Sequence, residues 1–231
     1  YERFYLSRKW DVFIANSNFT KNNLIKFGIK PERVKVVPNG IDVKAMRSLT
    51  VEKNKKTTIC SITRLVGYKR VIDLVRAISE VKKEFTDIQC KIIGSGPEKN
   101  RIGDEVKRLK LQNNVSLLGF VRDYEGVIQV LKKAHIFCLP STVEGFGIVV
   151  IEAMACGVPV IATRIAPIVE ITNDGYGALL YEPGNVQGLV KKIMTILRDK
   201  SLYYSLVERG YKIVQQYDWD NIVSEIDEIY N

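Results

Sequence analysis

Histidine is almost absent: the 231-residue chain holds one, His135, at the start of the apolar run Ala-His-Ile-Phe-Cys. A Ser-His-Asp or Cys-His engine would have to use it, and no nucleophile elbow accompanies it. His135 is therefore expected to be structural. The four cysteines (Cys60, Cys90, Cys138, Cys156) lie far apart in apolar runs, which argues against a zinc site or a disulfide framework and fits a reducing compartment. No metal site is expected. No uninterrupted apolar stretch reaches the length needed to cross a bilayer. The phosphate-loop pattern Gly-Lys-Ser/Thr is missing. Gly94-Ser95-Gly96 lacks the third small residue of the dinucleotide fingerprint, because Lys99 stands there, so a nicotinamide or flavin oxidoreductase is not expected. Aromatic and basic residues are not interleaved as a nucleic-acid stacking platform requires. There is no basic-then-apolar leader, and the first residue is Tyr1 rather than Met; the chain is expected to begin inside a longer protein.

What the chain has is positive charge and a regular alternation. Lys and Arg number 35 against 26 Asp and Glu, a net charge of +9. That surplus favours polyanionic partners such as phosphorylated small molecules or an anionic membrane surface, although a merely solvated lysine-rich surface reads the same way. Strands are expected at residues 11–17, 34–37, 57–62, 89–93, 115–118, 136–139, 158–162 and 177–181. Helices are expected at 18–27, from Val71 to Phe85, at 99–109 and 127–133, and then at 186–198, 202–215 and 220–230. The polar stretch 44–56 shows no clear period and reads as a connector. Strands rich in Val, Ile and Leu alternating with amphipathic helices indicate an α/β fold, a parallel sheet with helices on both faces. Ligands of such sheets bind outside the carboxyl ends of the strands. Arg64 and Lys69, Gly94-Ser95-Gly96, Gly119-Phe120-Val121 and residues 141–147 all follow expected strands. One crevice, rather than scattered sites, is implied.

Residues 140–163 form the centre of the pattern. A turn carrying Glu144, Gly145, Phe146 and Gly147 precedes eight nearly all-apolar residues, Ile148–Ala155, interrupted by Glu152. A carboxylate in such a helix is costly unless something hydrogen-bonds to it. The eight-residue spacing of Glu144 and Glu152 is itself uninformative, since a chain this rich in glutamate holds such a pair by chance. The glycines matter more: they bare backbone N–H groups at a helix start, which favours an anion such as phosphate. A glutamate favoured simply by the helix dipole is the other reading of Glu152. Arg64 and Lys69 flank Leu65-Val66-Gly67-Tyr68; a fork of donors and a point charge suit two phosphate groups. A basic loop without a ligand is the other reading of that pair.

In combination these motifs resemble a known family. Val37-Pro-Asn-Gly-Ile-Asp42, Arg64-Leu-…-Lys69, Ile92-Ile-Gly-Ser-Gly-Pro97, Leu118-Gly119-Phe120, Glu144-Gly-Phe-Gly-…-Glu152 and Ala155-Cys-Gly-Val-Pro-Val160 are similar, in order, to the retaining nucleotide-sugar glycosyltransferases of family 4, which have the GT-B architecture. The resemblance runs from about Asp11 to Trp219. It implies a Rossmann-like parallel sheet with helices on both faces, the C-terminal half of a GT-B fold. Residues 1–42 would be a strand-helix-strand remnant of the N-terminal acceptor domain. Residues 43–216 would bind the nucleotide sugar, and 217–231 would form a helix returning to the N-terminal domain.

By the same resemblance, Arg64 and Lys69 grip the donor diphosphate, Glu144 lies beside the donor sugar, and Glu152 meets the ribose hydroxyls. Gly145, Phe146, Gly147 and Ile148 contact sugar and phosphate, Val121 meets the base, and Gly96 belongs to the donor site. The implied function is transfer of a hexose, mannose or glucose, from a nucleotide diphosphate sugar to a sugar or lipid-linked acceptor. No cofactor and no metal are implied, because fixed cations and amides would stabilise the leaving diphosphate. The expected setting is the cytoplasm, with peripheral contact at the membrane face allowed for, and no nucleic acid. A non-catalytic nucleotide-sugar-binding module acting with a partner is the alternative, and a GT-B epimerase or phosphorylase relative is weaker for want of acid-base residues. Two positions depart from the family pattern: Thr63 and Arg70 stand where glycines are frequent. Arg70 is expected either to add a phosphate contact or to restrict the loop.

Overall fold

The computed structural model describes residues 10–230; positions 1–9 of the expected N-terminal remnant, and position 231, lie outside them. The chain opens with a small strand-helix-strand unit. Strand β1 (Phe13–Ala15) and strand β2 (Val34–Val36) pair in parallel, Ile14 opposite Lys35. Helix α1 (Asn18–Lys26) connects them. Ser17 starts the helix because its hydroxyl accepts from the Thr20 N–H at 3.0 Å, an N-cap in the usual sense. Gly28, at φ 96°, lets the chain turn away afterwards.

The rest is built on a six-stranded parallel sheet of β3 (Thr58–Ile62), β4 (Gln89–Ile93), β5 (Val115–Gly119), β6 (Ile136–Leu139), β7 (Val160–Thr163) and β8 (Ala178–Tyr181), in the order β5-β4-β3-β6-β7-β8. The chain winds outward from β3 to β5, then returns to the other side of β3 with β6. That reversal of direction opens a crevice at the carboxyl ends of β3 and β6, the topological switch point of doubly wound sheets. All four side chains of β6 are buried. Alternate residues serve opposite cores: Ile59, Ile136 and Cys138 face one layer, Cys60, Phe137 and Leu139 the other. The first layer includes α3 (Val71–Val81), α4 (Lys99–Arg108) and α8 (Val186–Arg198). The second includes α2 (Val43–Ser48), α5 (Tyr124–Lys133), α6 (Ile148–Ala155) and α7 (Ala166–Ile171). Helix α9 (Lys200–Val214) contributes to both, through Leu206 and Val214. In α3, Val71, Leu74, Val75, Ile78 and Val81 form one buried stripe, as a 3.6-residue period requires.

Two helices were not anticipated. The expected connector contains α2, whose start is capped by Asp42 accepting from the Ala45 N–H at 2.7 Å, and which buries Val43 and Met46. Fewer than two helical turns are too short for a period to stand out. Helix α7 has Pro167 in its first turn and is only six residues long. It links the two units: Glu170 accepts from the Asn18 N–H at 2.9 Å, the Asn18 side-chain amide at 2.8 Å and the Phe19 N–H at 3.4 Å. Near the C-terminus, the Ile41 N–H donates to the Tyr217 carbonyl at 2.8 Å and the Trp219 N–H to the Ile41 carbonyl at 3.2 Å. Helix α10 (Trp219–Tyr230) follows that crossing and buries Ile222. No helix of the described residues is long and apolar enough to cross a membrane.

Candidate functional site

The segment after β3 carries the two cations, and backbone packing fixes its course. The Thr63 N–H donates to the Ile93 carbonyl at 3.0 Å and the Leu65 N–H to the Ser95 carbonyl at 2.8 Å. This close approach explains the glycine pair. A Cβ at Gly94 would lie 1.8 Å from the Thr63 carbonyl oxygen, and one at Gly96 would lie 2.4 Å from that of Leu65. Gly96 is thus a packing residue here and does not line the crevice. Gly67–Lys69 forms a 3-10 turn. The left-handed residue is Arg70, at φ 48°. Its guanidinium is bound to the buried Asp73 and lies against Gly184. Of the two roles open to Arg70, the geometry matches restriction of the loop, and Arg70 does not line the crevice.

The segment after β6 faces this one across the switch point. The Thr142 N–H donates to the Tyr68 carbonyl at 2.8 Å, tying the two loops together. Lys69 Nζ meets Glu144 Oε1 at 2.6 Å, with only 12% and 10% of the two side chains exposed. Arg64 donates to the Tyr68 hydroxyl and remains exposed. Gly147, at φ 96°, starts α6 without any side-chain cap, so the first N–H groups of that helix lack intrahelical partners. Arg64, Lys69, Glu144, Phe146, Gly147 and Ile148 all line one crevice of about 290 Å³, joined by Asn16 and Asn39. Gly145 is exposed just outside it, and its carbonyl accepts from the Ser17 hydroxyl at 3.3 Å. Phe146 is 5% exposed and meets Tyr217 edge-to-face at 5.8 Å, so its side chain belongs as much to the core as to the cavity.

Glu152 occupies the second turn of α6 and is 6% exposed. The question raised by its isolation has an answer: the Tyr124 hydroxyl donates to Glu152 Oε1 at 2.7 Å. Burial holds the Glu152 carboxyl above its ordinary range, a rise that the Tyr124 hydrogen bond offsets only in part. Glu152 lines a second chamber of about 850 Å³, which shares Ile148 with the crevice. Val121 is half-buried beside Gly126 and lines neither cavity. Sequence reasoning missed Tyr124, Asn16 and Asn39. Asn39 was visible only within the motif Val37-Pro-Asn-Gly-Ile-Asp42, and nothing local marks Tyr124. His135 sits at the amino end of β6, away from the crevice, where its Nδ1 accepts from the Thr58 N–H at 3.1 Å. Burial lowers its pKa. Among the described residues no three His, Cys, Asp or Glu side chains are grouped to hold a metal ion.

In this doubly wound parallel sheet, cations and a glycine-bounded helix start face each other at the switch point, where ligands of such sheets bind. The model of the family described as "Glycosyl transferases group 1" matches residues 42–213, and that of "Glycosyltransferase Family 4" matches residues 1–45. The chain belongs to the group 1 glycosyltransferases. N-acetyl-alpha-D-glucosaminyl L-malate synthase of Bacillus anthracis is 30% identical over 95% of this chain and 65% of its own length. Poly(glycerol-phosphate) alpha-glucosyltransferase of Bacillus subtilis is 29% identical over 80% of this chain and 27% of its own length. The chain therefore spans about two thirds or less of these relatives. Among solved structures, a glycosyltransferase of Rickettsia africae superposes with a TM-score of 0.86 at 26% identity, over 99% of this chain and 65% of that one. Anabaena HepE, solved with UDP-glucose, superposes with a TM-score of 0.87 at 23% identity, over 100% of this chain and 68% of that one. The expected Rossmann-like sheet of the GT-B architecture is thus what the chain adopts.

Proposed function

We propose that this chain is the donor-binding, C-terminal half of a retaining glycosyltransferase that moves a hexose from a nucleotide diphosphate sugar to a sugar or lipid-linked acceptor. The observation that carries the reading is the convergence of Arg64, Lys69, Glu144 and the uncapped start of α6 on one crevice at the sheet's switch point. Arg64 and Lys69 would bind the diphosphate. As the glycosidic bond breaks, they and the α6 N–H groups would stabilise the charge that builds on the leaving group, which is electrostatic catalysis by preorganised donors. Glu144 would sit beside the donor sugar and Glu152 would accept from the ribose hydroxyls. In this reading no metal is needed, and Val121 approaches the base from the end of β5.

The hexose, mannose or glucose, and retention of configuration rest on the family resemblance. Residues 1–42 are assigned to the acceptor domain, 43–216 to the donor domain and 217–231 to the returning helix. The setting assigned is the cytoplasmic side of a membrane, where a lipid-linked acceptor would be presented to a chain of net charge +9. Isothermal calorimetry with UDP, GDP and their sugars tests the core of the reading. Binding of at least one of them is expected, and weaker binding after Arg64→Ala. Absence of heat for every nucleotide, with the protein shown to be folded, sinks it.

A further inference from the structure

Tyr124 has no role in the reading above, yet it is the partner that the buried Glu152 carboxylate finds. Its position is well defined. Asp123 caps α5 by accepting from the Glu125 N–H at 3.2 Å and the Gly126 N–H at 2.9 Å, which fixes the turn from which Tyr124 projects. The ring is 55% exposed, while the hydroxyl reaches inward to Glu152 Oε1 at 2.7 Å. A phenol can donate only one hydrogen bond, so it takes up one carboxylate oxygen and leaves the other as an acceptor. Both side chains line the 850 Å³ chamber, with Ile128, Ile148 and Trp219 supplying apolar wall. A glutamate on a helix is otherwise free to rotate about its terminal torsion. One charge-assisted bond removes that freedom and also favours the ionised form against the burial that opposes it.

We infer that Tyr124 is a positioning residue, holding Glu152 so that its second carboxylate oxygen faces the chamber as an acceptor for a vicinal diol, and thereby giving the site its preference for ribonucleotides. The inference rests on the assignment of Glu152 to the ribose.

Calorimetry with UDP and GDP, each against its 2′,3′-dideoxy counterpart, tests it in the wild type and in Tyr124→Phe, which keeps the ring and its packing. The wild type is expected to prefer the ribose form at least about tenfold, as loss of a hydrogen bond to a charged group implies. In Tyr124→Phe that ratio should fall by about threefold or more, with dideoxynucleotide affinity within about twofold of wild type, as expected when only the positioned bond is lost. An unchanged ratio in Tyr124→Phe, or equal weakening of both nucleotides, would show a structural role only and overturn the inference. A wild type that does not distinguish the two sugars, or binds none of them, overturns the ribose assignment itself and the inference with it.

Discussion

The Lys69–Glu144 pair makes an unexpected demand on the two residues assigned to the donor. Each neutralises the other at 2.6 Å, with about a tenth of each side chain exposed. Lys69→Met would strand the Glu144 carboxylate, and breaking a buried pair from one side costs about 3–5 kcal/mol. Because both side chains keep some water contact, the lower end, about 3 kcal/mol, is expected. For a chain of 231 residues that corresponds to a melting temperature lowered by roughly 6–12 °C. Glu144→Gln should cost less, because the flexible lysine can turn toward solvent or the Tyr68 ring, whose centre is 5.5 Å away. The double variant should recover at least about 1 kcal/mol relative to the sum of the singles. Binding should split the pair the other way. Lys69→Met removes a charge-assisted contact to the diphosphate and should weaken nucleotide binding about 10- to 150-fold. Glu144→Gln frees the lysine from an anionic competitor and should tighten diphosphate binding by roughly fivefold, a residual repulsion of about 1 kcal/mol. Chemical denaturation and calorimetry on the four proteins measure both cycles. Additive stabilities, or a Glu144→Gln variant that loses diphosphate affinity as Lys69→Met does, would refute the competition.

Two further outcomes follow from the scaffold. Gly94→Ala forces a Cβ to 1.8 Å from a backbone oxygen at φ 140°, where neither side can yield; a loss of about 3 kcal/mol is expected in denaturant titrations, and a loss under about 1 kcal/mol would show that the loop holding Arg64 is not pinned there. Arg108 and then Arg76 hold the Glu105 carboxyl at about 2, below its ordinary 4.5. A depressed folded-state value stabilises above the unfolded one and is lost as pH falls through the folded one. Glu105→Gln should therefore flatten the stability decline between about pH 4.5 and 2, modestly, because the arginines are 63% and 45% exposed. Equal acid sensitivity in both proteins would refute the coupling.

Much of the architecture was legible in the chain. β4, β6, α6 and α8 fall at the expected bounds, and the other expected elements end within a few residues of them, because the two- and 3.6-residue periods of Val, Ile and Leu are properties of neighbouring positions. Helices α2 and α7 escaped notice because six residues hold fewer than two full periods. The candidate site was legible in part: Arg64, Lys69, Glu144 and Gly147 stood out as strand-end chemistry and do share a cavity. At Gly96 the structure adds a packing demand, the close approach of the Leu65 backbone.

The sequence by itself determined the layers, the strand ends and the charge that gathers there, since each follows from local pattern and turn chemistry. Only the tertiary structure decided who meets whom. Glu152 found Tyr124 from a different helix, Lys69 found Glu144 across the switch point, and Asn16 and Asn39 came to the same crevice from the small N-terminal unit. Those meetings depend on the strand order that places β6 beside β3, which is set by packing among residues far apart in the chain and leaves no periodic trace in it.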